Sequence, residues 1–168
     1  DESGPMFEKI GQGQIWRIFT PAIFHKNLLH IVLNMLWVWV LGRQIEVRLS
    51  YFRFILLMLI AAAVSNTAQY LMSGPLFMGF SGVVLAMAGF IWMRQKVAPW
   101  EGYPLSKGIV AFLLVFVFAM VVLQGISFFV EVTSGRELPT RIANTAHIAG
   151  GITGMLLGRC SFFSWSVD

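Results

Sequence analysis

Apolar residues run almost unbroken along the chain, and the polar ones gather at intervals that divide it into five stretches. These begin near Asn27, Tyr51, Phe77, Ile109 and Ile142 and end near Leu41, Met72, Met93, Val130 and Phe163. A helix needs about 20 residues to cross roughly 30 Å of hydrocarbon, so the pattern predicts five membrane-spanning helices in a single membrane domain. Composition agrees: 57% of residues are hydrophobic and 12% charged, which excludes an ordinary soluble domain. The expected fold class is an all-α polytopic membrane protein. Cys160, the one cysteine, has no partner for an internal disulfide.

Charge sets the orientation. Arg43, Arg48, Arg53, Arg94, Lys96, Lys107 and Arg159 fall on one side of the spans; Lys9, Arg17, Lys26, Arg136 and Arg141 fall on the other. Seven basic residues against five make the first side cytoplasmic by the positive-inside rule, with residue 1 extracytoplasmic and the C-terminus inside. An exterior start with neither Met nor signal peptide leads to the expectation of an upstream helix that delivers it, the first of six.

With that topology the stretches starting at Asn27, Phe77 and Ile142 all run inward. His30 lies 13 residues above Arg43, Ser81 lies 13 above Arg94, and His147 lies 12 above Arg159. At ~1.5 Å per residue, all three sit about 18 to 20 Å above the inner boundary. Gly150, Gly154 and Gly158 form a small-residue strip below His147, and Gly82, Ala86 and Gly89 form another below Ser81. Such strips let two backbones approach. If they meet, Ser81 faces His147. Packing glycines alone account for the strips but not for a Ser and a His topping both at one depth.

Polar groups at that depth imply chemistry, because they are costly in a bilayer. A serine hydroxyl becomes a nucleophile when a neutral imidazole accepts its proton, which gives Ser81 and His147 the catalytic roles. No span contains an acidic residue to orient the imidazole, so the pair is a dyad. Ser81 follows the Ser73-Gly74-Pro75 break and starts a helix, where free N–H groups favour an oxyanion. His30 and Asn34, spaced i and i+4, can donate side-chain hydrogen bonds toward one point and are assigned with the Ser81 backbone to the oxyanion site. Asn34 taken alone reads equally as glue between helices.

Trp16-Arg17, His25-x4-His30-x3-Asn34, Gly79-x-Ser81-Gly82 and Ala146-His147-x2-Gly150-x3-Gly154 occur in this order across most of the chain. In combination the chain resembles the rhomboid intramembrane serine proteases of bacterial type. The resemblance implies a six-helix fold of which five helices are present here, the Ser81/His147 dyad, and a water-accessible cavity open to the exterior. It makes residues 1–26 the extracytoplasmic first loop, in which Trp16-Arg17 is structural, and residues 164–168 a cytoplasmic tail. Glu46 also matches a position of structural role. The implied location is the bacterial inner membrane.

The chain departs from that pattern at Leu85, where the family's bacterial members usually carry Tyr. A Leu one turn below Ser81 leaves the imidazole without a stacking ring, which predicts a slow protease improved by Leu85→Tyr. The Gln124–Arg141 segment, read as the end of a span and a long loop, falls where the family has a mobile cap.

The expected substrates are transmembrane proteins cut in or near a span, since a membrane helix must unwind to expose a carbonyl. The lipid bilayer is the other partner; no cofactor, metal or nucleic acid is expected. His25, Lys26 and Asn27 either help wet the cavity or, for His25, bond only locally. Two other classes stay open: a catalytically weak or inactive rhomboid-like protein that binds transmembrane helices, and a small transporter or channel. A transporter tends to show internal repeats, and none is found.

Overall fold

The computed structural model describes residues 6–135 and 142–165, with side chains from Glu8 onward. Arg136 and Arg141, which enter the count of basic residues, lie outside the described residues. Seven helices make up the described chain. They are α1 (Met6–Gly11), α2 (Thr20–Ile23), α3 (Leu28–Glu46), α4 (Tyr51–Ser73), α5 (Ser81–Val97), α6 (Lys107–Ser134) and α7 (Asn144–Arg159). Among the described residues there is no strand. The protein has an all-α polytopic membrane fold: α3, α4 and α6 are each long and apolar enough to cross a bilayer. Helices α5 and α7 are shorter, with 17 and 16 residues.

Several boundaries differ from the sequence pattern for local reasons. Helix α3 continues past Leu41 to Glu46 through a π turn at Val38–Gly42. Side chains answer carbonyls along this stretch, Gln44 Nε2 donating to Val40 O and Arg48 Nη1 to Gln44 O. Helix α5 begins at Ser81 rather than near Phe77, because Gly74 and Gly79 adopt φ of 72° and 124°. Those values suit glycine and interrupt a helix. Helix α6 extends beyond Val130 to Ser134, and the Thr133 and Ser134 hydroxyls bond the carbonyls of Phe129 and Val130. Gly135, at φ 65°, caps it. The segment expected to be partly loop from Gln124 is therefore helical to Ser134, while residues 136–141 lie outside the described residues. Helix α7 closes at Arg159, and the expected last turn at Phe163 is a separate 3-10 turn.

Helix α5 is the hub. It buries Val83, Val84, Ala86, Met87, Phe90 and Ile91, and its small-residue strip lies directly on that of α7. A Cβ on Gly150 would strike the Gly82 carbonyl, and one on Gly154 the Ala86 carbonyl. One on Gly158 would come within 2.8 Å of Met93 Cβ. Two backbones this close gain dispersion contact that any larger residue forbids. Helix α4 presses on the same crossing, since a Cβ on Gly82 would lie 2.8 Å from Ser65 Oγ. Helix α6 is the outlier: only Leu113 and Ser127 along it are buried.

Away from Ser81, at the far end of α5, Arg94 and Glu101 form a buried ion pair, 4% and 2% exposed. Arg94 also donates to Gly158 O, and Glu101 accepts from the Trp165 backbone N–H. The pair ties α5, α7 and the chain beyond α7 together. Tyr103 packs edge-on to Phe90, and burial, then the Glu101 charge, holds its phenol above the usual range. It stays neutral.

Candidate active site

Ser81 owes its position to the turn before it. Gly79 donates its N–H to Pro21 O at 2.9 Å, and Phe80 precedes the first helical residue, so Ser81 opens α5 with its hydroxyl clear of the helix. The first turn leaves backbone N–H groups without intrahelical acceptors and places the positive end of the helix dipole there. His147 sits in the first turn of α7, 6% exposed, carried there by the glycine crossing below it. The Ser81 hydroxyl and His147 Nε2 are 2.7 Å apart. With Nε2 as acceptor, the neutral ring carries its proton on Nδ1, which is buried without a partner among the described residues.

His30 and Asn34 face the same place from α3. A Cβ on Gly79 would lie 2.9 Å from His30 Nε2 and 3.8 Å from Asn34 Nδ2, so only a glycine lets the turn pass between them and Ser81. The Lys26 backbone N–H points at His30 Nδ1 at 3.4 Å, which makes Nδ1 the acceptor and leaves Nε2 as a donor toward the cavity. Asn34 turns part of its amide elsewhere: Nδ2 donates to His30 O at 3.0 Å, in its own helix. One N–H of that amide remains for another acceptor. Asn27 caps α3, its side chain accepting from His30 N at 2.8 Å.

Ser81, His147, His30 and Asn34 line one cavity of about 1020 Å³, whose lining also takes in Lys26, Leu85 and Glu131. Its walls mix apolar rings with amides. Gln69 of α4 is buried in the wall, its Oε1 accepting from Ala146 N at 3.0 Å, directly before His147. Asn144 of α7 donates to Gln124 Oε1 at 2.5 Å and to Met120 O at 3.1 Å, joining α7 to the loosely held α6. Neither amide was singled out from the sequence. For Gln69 a signal existed, since Ser65 and Gln69 stand four apart in a mostly apolar span and so share one face.

A family model for the rhomboid domain matches residues 12–163. The chain belongs to the rhomboid family. Of the other motif residues of this rhomboid, Arg17 Nε donates to Gln14 Oε1 at 2.6 Å, and Trp16 is half exposed. His25 bonds locally through Nδ1 to Ile23 O at 2.9 Å, and its ring meets that of His30 edge-on at 5.1 Å. Glu46 is exposed at the end of α3.

Proposed function

We propose that this rhomboid is an intramembrane serine endopeptidase that cleaves transmembrane proteins in or near their spans. The observation that carries the reading is the 2.7 Å approach of the Ser81 hydroxyl to His147 Nε2 inside a cavity with amide donors around it. A hydroxyl and an imidazole at that separation fit general-base activation. In the first step Nε2 takes the hydroxyl proton as Ser81 Oγ bonds to the scissile carbonyl carbon. Negative charge then develops on the carbonyl oxygen, beside the Ser81 N–H, His30 Nε2–H and the remaining Asn34 N–H. Fixed donors at such a point are worth several kcal/mol because they need no reorganisation.

Collapse of the tetrahedral intermediate breaks the C–N bond, and the imidazolium gives its proton to the departing amine. Water, activated by the same imidazole, then cleaves the acyl ester and frees Ser81. The polar walls of the cavity support a route for that water. All five longer helices are read as spanning the membrane, with residue 1 outside and the basic ends of α3, α5 and α7 inside, in a bacterial inner membrane.

One observation favours a weaker enzyme or a binder of membrane helices: the Nδ1 of His147 has no orienting partner among the described residues. The two readings separate in proteoliposomes carrying a transmembrane substrate with a Gly- or Ala-containing span. The protease reading expects two fragments in wild type and none in Ser81→Ala; intact substrate that co-purifies with both would favour binding alone.

A further inference from the structure

At the end of α3 away from the dyad lies a second concavity, a groove of about 340 Å³ against the 103–106 connection. Trp39, Val40 and Val47 make its apolar wall, with Trp39 and Val47 63% and 64% exposed. Arg43 and Arg48 make its polar rim. Arg43 is exposed and has no hydrogen-bond or ion-pair partner among the described residues. Arg48 donates to three neutral carbonyls, those of Glu101, Gln44 and Gly102, and lies 4.6 Å over the Tyr103 ring. The nearest buried carboxylate, Glu101, is already held by Arg94 and the Trp165 N–H. Two full positive charges therefore border the groove uncompensated by any described carboxylate; Glu46, one turn from Arg43, is exposed and forms no ion pair. In the groove wall, Gln44 Nε2 is spent on Val40 O, while its Oε1 is buried without a donor.

We propose that this groove holds one anionic phospholipid with a hydroxyl-bearing headgroup, of the phosphatidylglycerol type. Each part of such a lipid has a counterpart. The phosphodiester answers Arg43 and the N–H groups of Arg48 left over from the carbonyls, since guanidinium and phosphate pair through charge-assisted bonds. A headgroup hydroxyl supplies the donor that Gln44 Oε1 lacks. The acyl chains lie along Val40 and Val47, and the Trp39 indole occupies the interfacial level that such rings favour. Basic pockets beside the inner ends of membrane helices take acidic headgroups for the same reason. A choline headgroup carries a phosphate but no donor and no net charge, so it satisfies only part of the site.

Native mass spectrometry of the purified protein in detergent, titrated with phosphatidylglycerol or phosphatidylcholine of identical acyl chains, tests this without recourse to proteolysis. The expected result is one retained phosphatidylglycerol and weaker retention of the choline lipid. Arg43→Gln, which removes no hydrogen bond or ion pair among the described residues, should lower phosphatidylglycerol affinity by about 5-fold or more. Arg159→Gln removes the same charge at another exposed position and should leave it unchanged; melting in lipid-free detergent checks that both variants fold. Equal retention of the two lipids overturns the proposal. So does an equal loss in both variants, which is diffuse electrostatics, or a protein dimer that forms through Trp39 and excludes lipid.

Discussion

Phe116 of α6 holds its ring 6.4 Å from the imidazole of His147, tilted by 48°. The contact continues a file of rings from α3, with Trp37 and Phe112 at 5.8 Å and Phe112 and Phe116 at 6.5 Å. It changes the expectation attached to Leu85. An aromatic neighbour reaches His147 after all, from a different helix. Aromatic pairs at such distances contribute about 0.5 to 1.5 kcal/mol beyond area burial, so Phe116→Leu should lower kcat about 3- to 10-fold with KM nearly constant. Leu85→Tyr should add little to wild type but restore much of the loss in the Phe116→Leu background. A rise in kcat for Leu85→Tyr alone would mean that Phe116 leaves the imidazole underdetermined.

The two α3 donors should differ. His30 Nε2–H has no competing acceptor among the described residues, whereas the Asn34 amide spends one N–H on His30 O. His30→Ala is expected to reduce kcat by about 100-fold and Asn34→Ala by about 10-fold, each with a small change in KM. Steady-state kinetics on a membrane-reconstituted substrate decides this. A drop in melting temperature with kcat intact would make Asn34 a packing residue.

Much of this geometry was legible in the sequence because it rests on two short rules. Small residues at spacings of three and four forecast which faces of α5 and α7 touch, and the depth count forecast that Ser81 and His147 share a level. The π turn at Val38–Gly42 departs from the uniform ~1.5 Å rise counted from Arg43 to His30, yet His30 still reaches Gly79, whose N–H is bonded to Pro21 O. Long-range partners were not legible. Nothing in local spacing says that Arg94 is buried against Glu101, or that Asn144 finds Gln124 across two helices. Hydropathy also misplaced helix ends, because Gly74, Gly79 and Gly135 stop helices through φ rather than through polarity.

The glycine crossing makes a sharp stability prediction. Gly154→Ala drives a methyl into the Ala86 carbonyl, while Gly151→Ala meets nothing within 4 Å. Overpacking of this kind costs about 1 to 3 kcal/mol. Thermal melting in detergent should show a lower Tm for Gly154→Ala alone, together with slower reaction of Ser81, since His147 rides on the displaced helix. Matching melting curves for the two variants would place the crossing elsewhere.

Breaking the buried pair at the opposite end should cost more than removing it. Glu101→Gln leaves the Arg94 guanidinium buried beside a neutral amide, at about 3 to 5 kcal/mol, whereas Arg94→Met with Glu101→Gln removes both charges and should recover part of that loss. A double-mutant cycle from chemical denaturation reads the coupling. Additive losses would show that the two charges do not depend on each other.

The central claim is that His147 activates Ser81. The most direct measurement is covalent labelling by a fluorophosphonate, with the modified residue mapped by mass spectrometry and the labelling rate compared across variants. Wild type should be labelled at Ser81, while Ser81→Ala and a folded His147→Ala remain unlabelled, because attack needs both the nucleophile and its base. Labelling of His147→Ala at the wild-type rate, or an unlabelled wild type whose Tm shows it folded, would contradict the account.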